Sequence, residues 1–385
     1  MKKANNDKDT IYTDKTIFKN ISHEKFIEHI INGMQDWVRV IDIDDNIIYI
    51  NRAMSKALKG SFIGEKCYKA LGRDKPCKNC TSRKAVFKGV TQIKEEIIQN
   101  KTFSVMSSPI KDDNGKVIAV VEVLRDISSL KELHKKIIDQ NKKLKNELYM
   151  ARKLQESLLP KDFSSDAVKY SYVYKPCEAL GGDFLDIFEI DSDNIGLYIA
   201  DVSGHGLLAS MLTIFIRASI NKNQKSPSAV LKQLFKEYNK TFNGNTEKYI
   251  TVFYAIINTK DKTITYSNAG HNVAPILFNT YTGRFDLLRM PGIPISNWVE
   301  NPDYQEKQIT YEKNERLFLY SDGIIELKNS QNKQYGEERL LDILLKDTSP
   351  PESTLNKIME DVSRFTRLSD FKKICDDITM ILVEF

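Results

Sequence analysis

The sequence has 385 residues, 41% hydrophobic and 28% charged, a balance typical of globular proteins. Its 57 basic and 52 acidic residues give a net charge of +5, with no basic run interleaved with aromatics, so we expect no nucleic-acid partner. No segment approaches the roughly 20 apolar residues that cross a bilayer, and the polar N-terminus lacks the apolar core of a signal peptide. We therefore predict a cytoplasmic protein of about two domains, with no membrane segment and no disulfide framework among its five cysteines.

The N-terminal third predicts a flexible start followed by a small domain. Residues 1–22 are polar, which is typical of a flexible N-terminus. From 23 to 128 the pattern changes to short strand-like runs separated by turn signals such as DIDDN and DDNGK. The runs are WVRVIDI (37–43), NIIYIN (46–51), QIKEEII (92–98), TFSVMSSPI (102–110) and VIAVVEVLRDI (117–127). They predict one small sheet with helices between its early strands.

An apolar residue at every seventh position marks residues 129–160. The ladder consists of Leu130, Ile137, Leu144, Ala151 and Leu158, with Leu133, Leu148 and Leu154 interleaved. This spacing predicts a coiled-coil linker helix that ends at Pro160. A helix between two domains is expected to dimerise and to transmit a signal, although an inert spacer would have the same pattern.

Residues 161–385 alternate between strand-like and helix-like runs, which predicts an α+β domain. The candidate strands are 195–203, 250–259, 263–270, 316–323 and 378–385. The candidate helices are 206–222, 226–242, 336–346 and 351–367.

Acidic residues in this region fall at predicted strand ends and sharp turns. They are Asp183 in GGDFLD, Asp201 in IADVSGHG, Asp322 in LYSDG, and Asp376 with Asp377 in CDDITMILV. Strand ends hold side chains on a rigid scaffold, and the neighbouring glycines let backbone approach a ligand closely. Hard cations such as Mg²⁺ and Mn²⁺ prefer such oxygen ligands. Each motif alone would be an ordinary turn or solvated loop, so the hypothesis of a metal site rests on the set.

The order of these motifs resembles the SpoIIE-type branch of the PPM metal-dependent phosphatases. The resemblance covers about 150–385 and rests on LQESLLP, GGDFLDIF, ADVSGHGLLASM, TVFYAIIN with YSNAGHNVAPIL, LYSDGIIEL, YGEERL and DDITMILV. It implies a β-sandwich flanked by helices, with two Mn²⁺ or Mg²⁺ ions and serine/threonine phosphatase activity. Leu185 and Ser296 stand where the family often has Tyr and Gly; neither position is a ligand.

The resemblance also implies a role for each acidic residue. Asp201 would bridge both metals, and the Val202 carbonyl would bind one of them. Asp183 would hold one metal, and Asp322 with Asp376 would complete the other site. Asp376 is preferred to Asp377, which stays as an alternative ligand, because the first acid of the pair matches the family's ligand position. A hydroxide bridging the metals would attack phosphorus. Asp186, His205 and His271 are expected to have mainly structural roles.

The N-terminal domain resembles a PAS sensor in DWVRVIDIDDNIIYINRAM and in the later TFSVMSSPIKDDNGKVIAVVEVLRDIS. Such domains dimerise and bind small ligands, so the resemblance implies a homodimer and leaves open an unknown ligand or metal. Cys67, Cys77 and Cys80 are candidate sensor residues, because Cys-x-x-Cys spacing fits metal or redox chemistry. A purely structural cluster is the alternative.

Together the two resemblances predict a PAS-regulated phosphatase. The family branch implies a phosphorylated STAS-fold anti-anti-sigma factor as substrate and partner. A catalytically silent scaffold is the alternative. A histidine kinase, suggested by His134, lacks an ATP-binding core downstream, and the GGDF of a diguanylate cyclase is only four letters long here.

Overall fold

The computed structural model describes residues 21–161, 168–242, 246–367 and 376–385. The chain divides into two compact units, Met1–Lys142 and Lys143–Phe385. Most of the N-terminus predicted to be flexible, residues 1–20, lies outside the described residues. Within the described ranges, no helix combines the length and apolar character that a bilayer span requires.

The N-terminal unit is built around one antiparallel sheet in the order β2-β1-β5-β4-β3. All five predicted strands are confirmed. In chain order the elements are α1 (His23–Gly33), β1 (Trp37–Asp42), β2 (Ile47–Ile50), α2 (Arg52–Leu58), α3 (Thr81–Lys88), β3 (Gln92–Ile98), β4 (Lys101–Lys111) and β5 (Val117–Asp126). The two helices between β2 and β3 follow the prediction of helices between the early strands.

Helix α4 (Ser128–Ser157) corresponds to the predicted linker. It is 30 residues long and ends before Pro160, so the predicted end was three residues too late. The backbone of Leu158 and Leu159 instead bonds to Gln155 and Glu156 in tighter turns. Leu130, Ile137 and Leu144 of the ladder are 62%, 47% and 53% exposed. The helix is therefore confirmed, whereas its pairing in a coiled coil stays a prediction.

The C-terminal unit contains two five-stranded sheets, in the orders β13-β10-β9-β8-β7 and β12-β11-β14-β15-β6. Its strands are β6 (Lys169–Lys175), β7 (Asp183–Glu189), β8 (Asn194–Val202), β9 (Ile250–Asn258), β10 (Thr263–Ala269), β11 (Ile276–Asn279), β12 (Arg284–Leu287), β13 (Lys307–Thr310), β14 (Glu315–Tyr320) and β15 (Ile378–Glu384). Its helices are α5 (Leu207–Ser219), α6 (Pro227–Phe242), α7 (Asp322–Ile325), α8 (Glu337–Lys346) and α9 (Pro351–Thr366). The predicted strands and long helices are confirmed, and β6, β7, β11, β12, β13 and α7 were not predicted.

Alternating side chains explain how these elements form four layers. Leu185, Leu197 and Phe253 point from the first sheet into a core shared with Leu319 and Ile381 of the second. The opposite face of the first sheet packs against α5 and α6, and that of the second packs against α8 and α9. Both sheets are covered on both faces, which gives the sandwich flanked by helices that the resemblance implies.

Candidate active site

Two of the predicted carboxylates meet across adjacent strands of the first sheet. Strand β7 begins at Asp183, and the antiparallel register with β8 places Asp183 directly opposite Asp201. Side chains of directly paired residues lie on the same face of a sheet. Asp183 is buried at 2% exposure, and Asp201 is partly exposed. The strand pairing thus positions both groups without any flexible loop.

The second sheet contributes the remaining acidic residues from two neighbouring strand termini. Strand β14 ends at Tyr320, and Asp322 begins the short helix α7. The predicted strand through 323 was therefore too long. Asp376 and Asp377 directly precede β15. A β-carbon at Gly323 would collide with the carbonyl oxygen of Asp377, so glycine after Asp322 lets the two segments approach closely.

The two acids of the Asp376–Asp377 pair have different surroundings. Asp377 is buried; its Oδ1 accepts a hydrogen bond from the Cys177 amide at 2.7 Å. Its Oδ2 accepts from the amides of Gly182 and Asp183, the latter at 3.1 Å. Asp376 is exposed and accepts from the Asp377 amide at 2.8 Å. The Asp377 carboxylate therefore fastens the segment before β7 to β15, and its acceptor capacity is largely used.

The clustered carboxylates raise one another's pKa values. Burial and the charges of Asp201 and Asp377 raise the pKa of Asp183 well above its usual range. Burial, followed by the charges of Asp322, Asp376 and Asp377, raises the pKa of Asp201 to about 7. The pKa of Asp376 is also raised, because its carboxylate is partly desolvated within the cluster and lies near the charges of Asp322 and Asp377. Each raised pKa means that the charged carboxylate is disfavoured, because several negative charges lie close together at low dielectric.

The donor chemistry of this cluster fits a divalent cation. Asp183 Oδ2 is buried and has no hydrogen-bond partner among the described residues. A β-carbon at Gly182 would lie 3.1 Å from the Val202 carbonyl oxygen and 2.9 Å from that of Gly204. Carboxylate and carbonyl oxygens are what Mg²⁺ and Mn²⁺ prefer. Within the described ranges, however, no three His, Cys, Asp or Glu side chains form a group that could hold a metal. The types of ligand atom therefore fit a divalent cation, whereas the positions of these atoms define no coordination geometry.

The end of helix α4 reaches the segment just before Asp183. Gln155 is buried, and its Nε2 donates to the Gly181 carbonyl oxygen at 2.9 Å and to Thr213 Oγ1 of α5 at 3.0 Å. Its Oε1 accepts from the Gly181 amide at 3.2 Å. Sequence reasoning did not single out Gln155, although a polar residue beside the apolar ladder at Leu154 was the available signal. The helix is thus hydrogen-bonded directly to the residues before Asp183.

Other polar residues near the cluster have mainly structural contacts. Asp186 is buried and paired with Arg217 and with Lys222, whose Nζ lies 2.7 Å away. His205 is exposed and lies 2.8 Å from Glu178. His271 is buried, and burial lowers its pKa to about 4. Asn272 was not singled out by sequence reasoning, yet its Nδ2 donates to Asp322 Oδ2 at 2.7 Å.

The three candidate cysteines of the N-terminal unit have separate surroundings. Cys67 is buried, which raises the pKa of its thiol to about 12. Cys77 Sγ accepts from Arg73 at 3.1 Å, and Cys80 Sγ accepts from the Arg83 amide at the start of α3. In the part of the chain that the structure describes, they do not form a group that could hold a metal.

The layered sandwich and its edge carboxylates define a PP2C-like phosphatase fold in the C-terminal unit. The structure is similar to the SiaA-PP2C domain of Pseudomonas aeruginosa, with a TM-score of 0.56 and 18% identity over 64% of this chain and 98% of that chain. At this identity the similarity concerns the fold.

The model of the family described as Stage II sporulation protein E (SpoIIE) matches residues 191–385, just over half of the chain. The chain therefore belongs to the SpoIIE family. Residues 31–132 match a model described as PAS fold, which agrees with the resemblance of the N-terminal unit.

Two curated relatives from Bacillus subtilis (strain 168) are similar to the chain. It is 30% identical over 187 residues to phosphoserine phosphatase RsbP, covering 47% of this chain and 46% of that protein. It is 25% identical over 270 residues to phosphoserine phosphatase RsbU, covering 69% of this chain and 77% of that protein. The chain thus spans less than half of the length of RsbP.

Proposed function

We propose that the chain is a metal-dependent protein serine/threonine phosphatase regulated by its PAS unit. The observation that carries this proposal is the pairing of Asp183 with Asp201 across β7 and β8, beside Asp322 and Asp376 from the second sheet. Membership of the SpoIIE family and the names of RsbP and RsbU as phosphoserine phosphatases support it.

The proposed cofactors are two Mn²⁺ or Mg²⁺ ions. Asp201 would contact both, the Val202 carbonyl and Asp183 would serve one, and Asp322 with Asp376 would serve the other. Such cations, when bound, lower the pKa of water and neutralise phosphate oxygens. We assign Asp377 to holding the segment before β7 in place rather than to binding metal, because three backbone amides already donate to its carboxylate. Asn272 would hold Asp322 in place through its amide.

The proposed substrate is the phosphoserine of a STAS-fold anti-anti-sigma factor. The relatives' names as phosphoserine phosphatases support the phosphoserine, and the arrangement of a PAS unit before a SpoIIE-family unit motivates the choice of protein. The test is to assay phosphate release from each phosphorylated STAS protein of the source organism. If none is hydrolysed while a generic phosphoserine peptide is, the substrate proposal is wrong and the phosphatase proposal stands.

For regulation, we infer a homodimer formed through the PAS unit and α4. The half-exposed ladder of Leu130, Ile137 and Leu144 supports pairing, and the bonds from Gln155 to Gly181 give the helix a route to Asp183. Replacing Leu144 and Leu148 with Asp should yield a monomer by light scattering and change the rate of phosphate release. Lys145→Asp, exposed on the same helix, is the control. An unchanged mass and rate in the double variant would refute this model.

The deciding experiment measures Mn²⁺-dependent phosphate release by the full chain, by residues 150–385 and by Asp201→Asn. Loss of roughly a thousandfold or more in Asp201→Asn is expected, because several kcal/mol of metal stabilisation would be lost. A difference between the two lengths would give the sign of PAS control. Metal binding without turnover in either length would favour the catalytically silent scaffold. The cytoplasmic location stays a prediction.

A further inference from the structure

A cavity of about 420 Å³ lies in the C-terminal unit, beside the carboxylate cluster. Asn272 forms part of its wall and also donates a hydrogen bond to Asp322 Oδ2 at 2.7 Å. The cavity therefore begins one side chain away from a proposed metal ligand. This volume lies within the range of small-molecule sites, so the cavity has room for a long side chain but not for a folded element.

Two polar side chains that line this cavity, His271 and Glu337, are held in place by Tyr320. The Tyr320 hydroxyl donates to Glu337 Oε1 at 2.8 Å. The Tyr320 carbonyl oxygen lies 3.0 Å from His271 Nε2, and because a carbonyl only accepts, Nε2 carries the hydrogen. Tyr320 is fully buried at the end of β14, two residues before Asp322. The same strand end thus positions the cavity's polar groups and the candidate ligand.

A hydrogen-bond donor in the cavity would find an acceptor among these two groups, His271 and Glu337. His271 is 5% exposed, and its Nδ1 has no hydrogen-bond partner among the described residues. His271 Nδ1 is itself closed off from solvent, whereas Glu337 is only partly buried, so its carboxylate is the acceptor that a ligand in the cavity can reach. A ligand group that donates a charge-assisted hydrogen bond to this carboxylate would be stabilised.

The remaining walls favour a donor that is carried on an apolar stem. Leu288 is buried and Met290 is partly buried beside the polar groups. Lysine and arginine combine an aliphatic stem with a charged donor, and they pack the stem on apolar surface. Arg289 also lines the cavity and would repel such a group, but it is exposed, so water and salt weaken that repulsion.

We propose that this cavity binds a lysine or arginine side chain of the phosphoprotein substrate, close in sequence to the phosphorylated serine or threonine. The proposal rests on the phosphatase function proposed above and adds a determinant of substrate specificity. Extended peptide advances about 3.3 Å per residue. Because Asn272 separates the cavity from Asp322 by a single side chain, the basic residue should lie within a few positions of the phosphoresidue.

The test compares phosphopeptides that carry either lysine or norleucine, which has a comparable stem without the ammonium group, at each position from −3 to +3. With the full chain and Mn²⁺, we expect kcat/KM to favour lysine about tenfold at one position, the effect of one charge-assisted hydrogen bond. Glu337→Gln retains an acceptor for Tyr320 but removes the charge, so the preference should fall to about twofold. Glu338→Gln, exposed on the same helix, should keep it.

Two further measurements test the lysine preference, and one of them requires no hydrolysis. Glu337→Lys should reverse the preference toward a glutamate peptide. Fluorescence anisotropy of the same peptides reads the lysine preference as a ratio of Kd values without any hydrolysis. Equal kcat/KM for lysine and norleucine peptides at every position, or a lysine preference that survives Glu337→Gln, would overturn the subsite in an active enzyme. Failure of the phosphatase proposal would differ, because p-nitrophenyl phosphate would also remain intact.

Discussion

Glu122 in the N-terminal unit and Asp183 in the C-terminal unit are both only 2% exposed, yet their surroundings are opposite. Arg39 Nη2 lies 2.7 Å from Glu122 Oε2, and the hydroxyls of Ser82 and Ser107 donate to its other oxygen. Burial alone would raise the pKa of Glu122, but these partners outweigh it and lower the pKa. Around Asp183 the chain places Asp201 and Asp377 instead, and they add to the effect of burial, which the hydroxyls of Ser321 and Thr379 offset only in part.

This difference separates a structural carboxylate from one suited to binding a cation. A buried charge is tolerated when a counter-charge and hydrogen bonds accompany it. The N-terminal unit supplies them within its own fold, whereas the Asp183 cluster concentrates negative charge at one edge of the sandwich. The same contrast occurs along β7, where Asp186, three residues after Asp183, is paired with Arg217 and Lys222.

The largest expected effect follows from removing the counter-charge in the N-terminal unit. Arg39→Met should lower the free energy of unfolding of that unit by about 3–5 kcal/mol, because Glu122 would be left buried without its cation. Trp37 in β1 packs on Phe103, with ring centroids 4.6 Å apart, and reports this transition. Denaturation followed by tryptophan fluorescence in a Trp298→Phe background isolates its signal, since the chain has two tryptophans.

The matched control for this variant is Arg125→Met. Arg125 pairs with Asp36 at 2.8 Å, but its side chain is 68% exposed, and exposed ion pairs contribute less than about 1 kcal/mol. If both substitutions cost the same, burial of the Arg39–Glu122 pair has no special energetic role and the comparison fails.

A second prediction contrasts two aspartates of one strand. Asp186→Asn should destabilise the C-terminal unit by about 2–3 kcal/mol, because charge-assisted hydrogen bonds to Arg217 and Lys222 are lost. Asp183→Asn should instead stabilise the metal-free protein, since it removes a repelling charge. Thermal melting in EDTA at pH 8 measures both. Two changes of the same sign would show that Asp183 has an unrecognised counter-charge.

Many of these strands and candidate carboxylates could be predicted from the sequence, because the signals for them are local. Asp183, Asp201 and Asp322 could be nominated as candidate ligands because glycine and strand ends are local signals. The strands of the small sheet were predicted because alternating apolar residues between turn motifs are local as well. Strands such as β12 (Arg284–Leu287) and β13 (Lys307–Thr310) were missed, because short edge strands with mostly exposed side chains carry little pattern.

Contacts between segments that are far apart in the chain could not be predicted from the sequence. Asp377 receives the amide of Cys177, 200 positions away, and no local pattern distinguishes it from Asp376. Gln155 bonds to Thr213 across 58 positions. The arginine partner of Glu122 is 83 positions away. Only tertiary pairing reveals which buried acid is neutralised, and for that reason the sequence could nominate carboxylates without separating ligands from supports.

A third prediction concerns the pH dependence of the metal-free protein. The pKa of Asp201 is raised to about 7 in the folded state, so this group's stabilising contribution is present at low pH and is lost as pH rises through about 7. Between pH 5 and 8 in EDTA, wild type should lose roughly 2–3 kcal/mol more stability than Asp201→Asn. Parallel melting curves for the two proteins would contradict the raised pKa. Added Mn²⁺ at pH 8 should stabilise wild type more than the variant.

The smallest effect is expected where α4 meets the carboxylate cluster. Gln155→Ala removes the bonds to Gly181 and Thr213 and should cost about 1 kcal/mol of stability. Because those bonds fix the backbone before Asp183, kcat/KM of the full chain should fall by about fivefold, a comparable free energy. Lys153→Ala, which removes a 57% exposed side chain on the same helix, should leave both quantities unchanged. If Gln155→Ala lowers stability but leaves the Mn²⁺ dependence and kcat/KM intact, the helix anchors the unit without influencing its site, and regulation must reach Asp183 by another route.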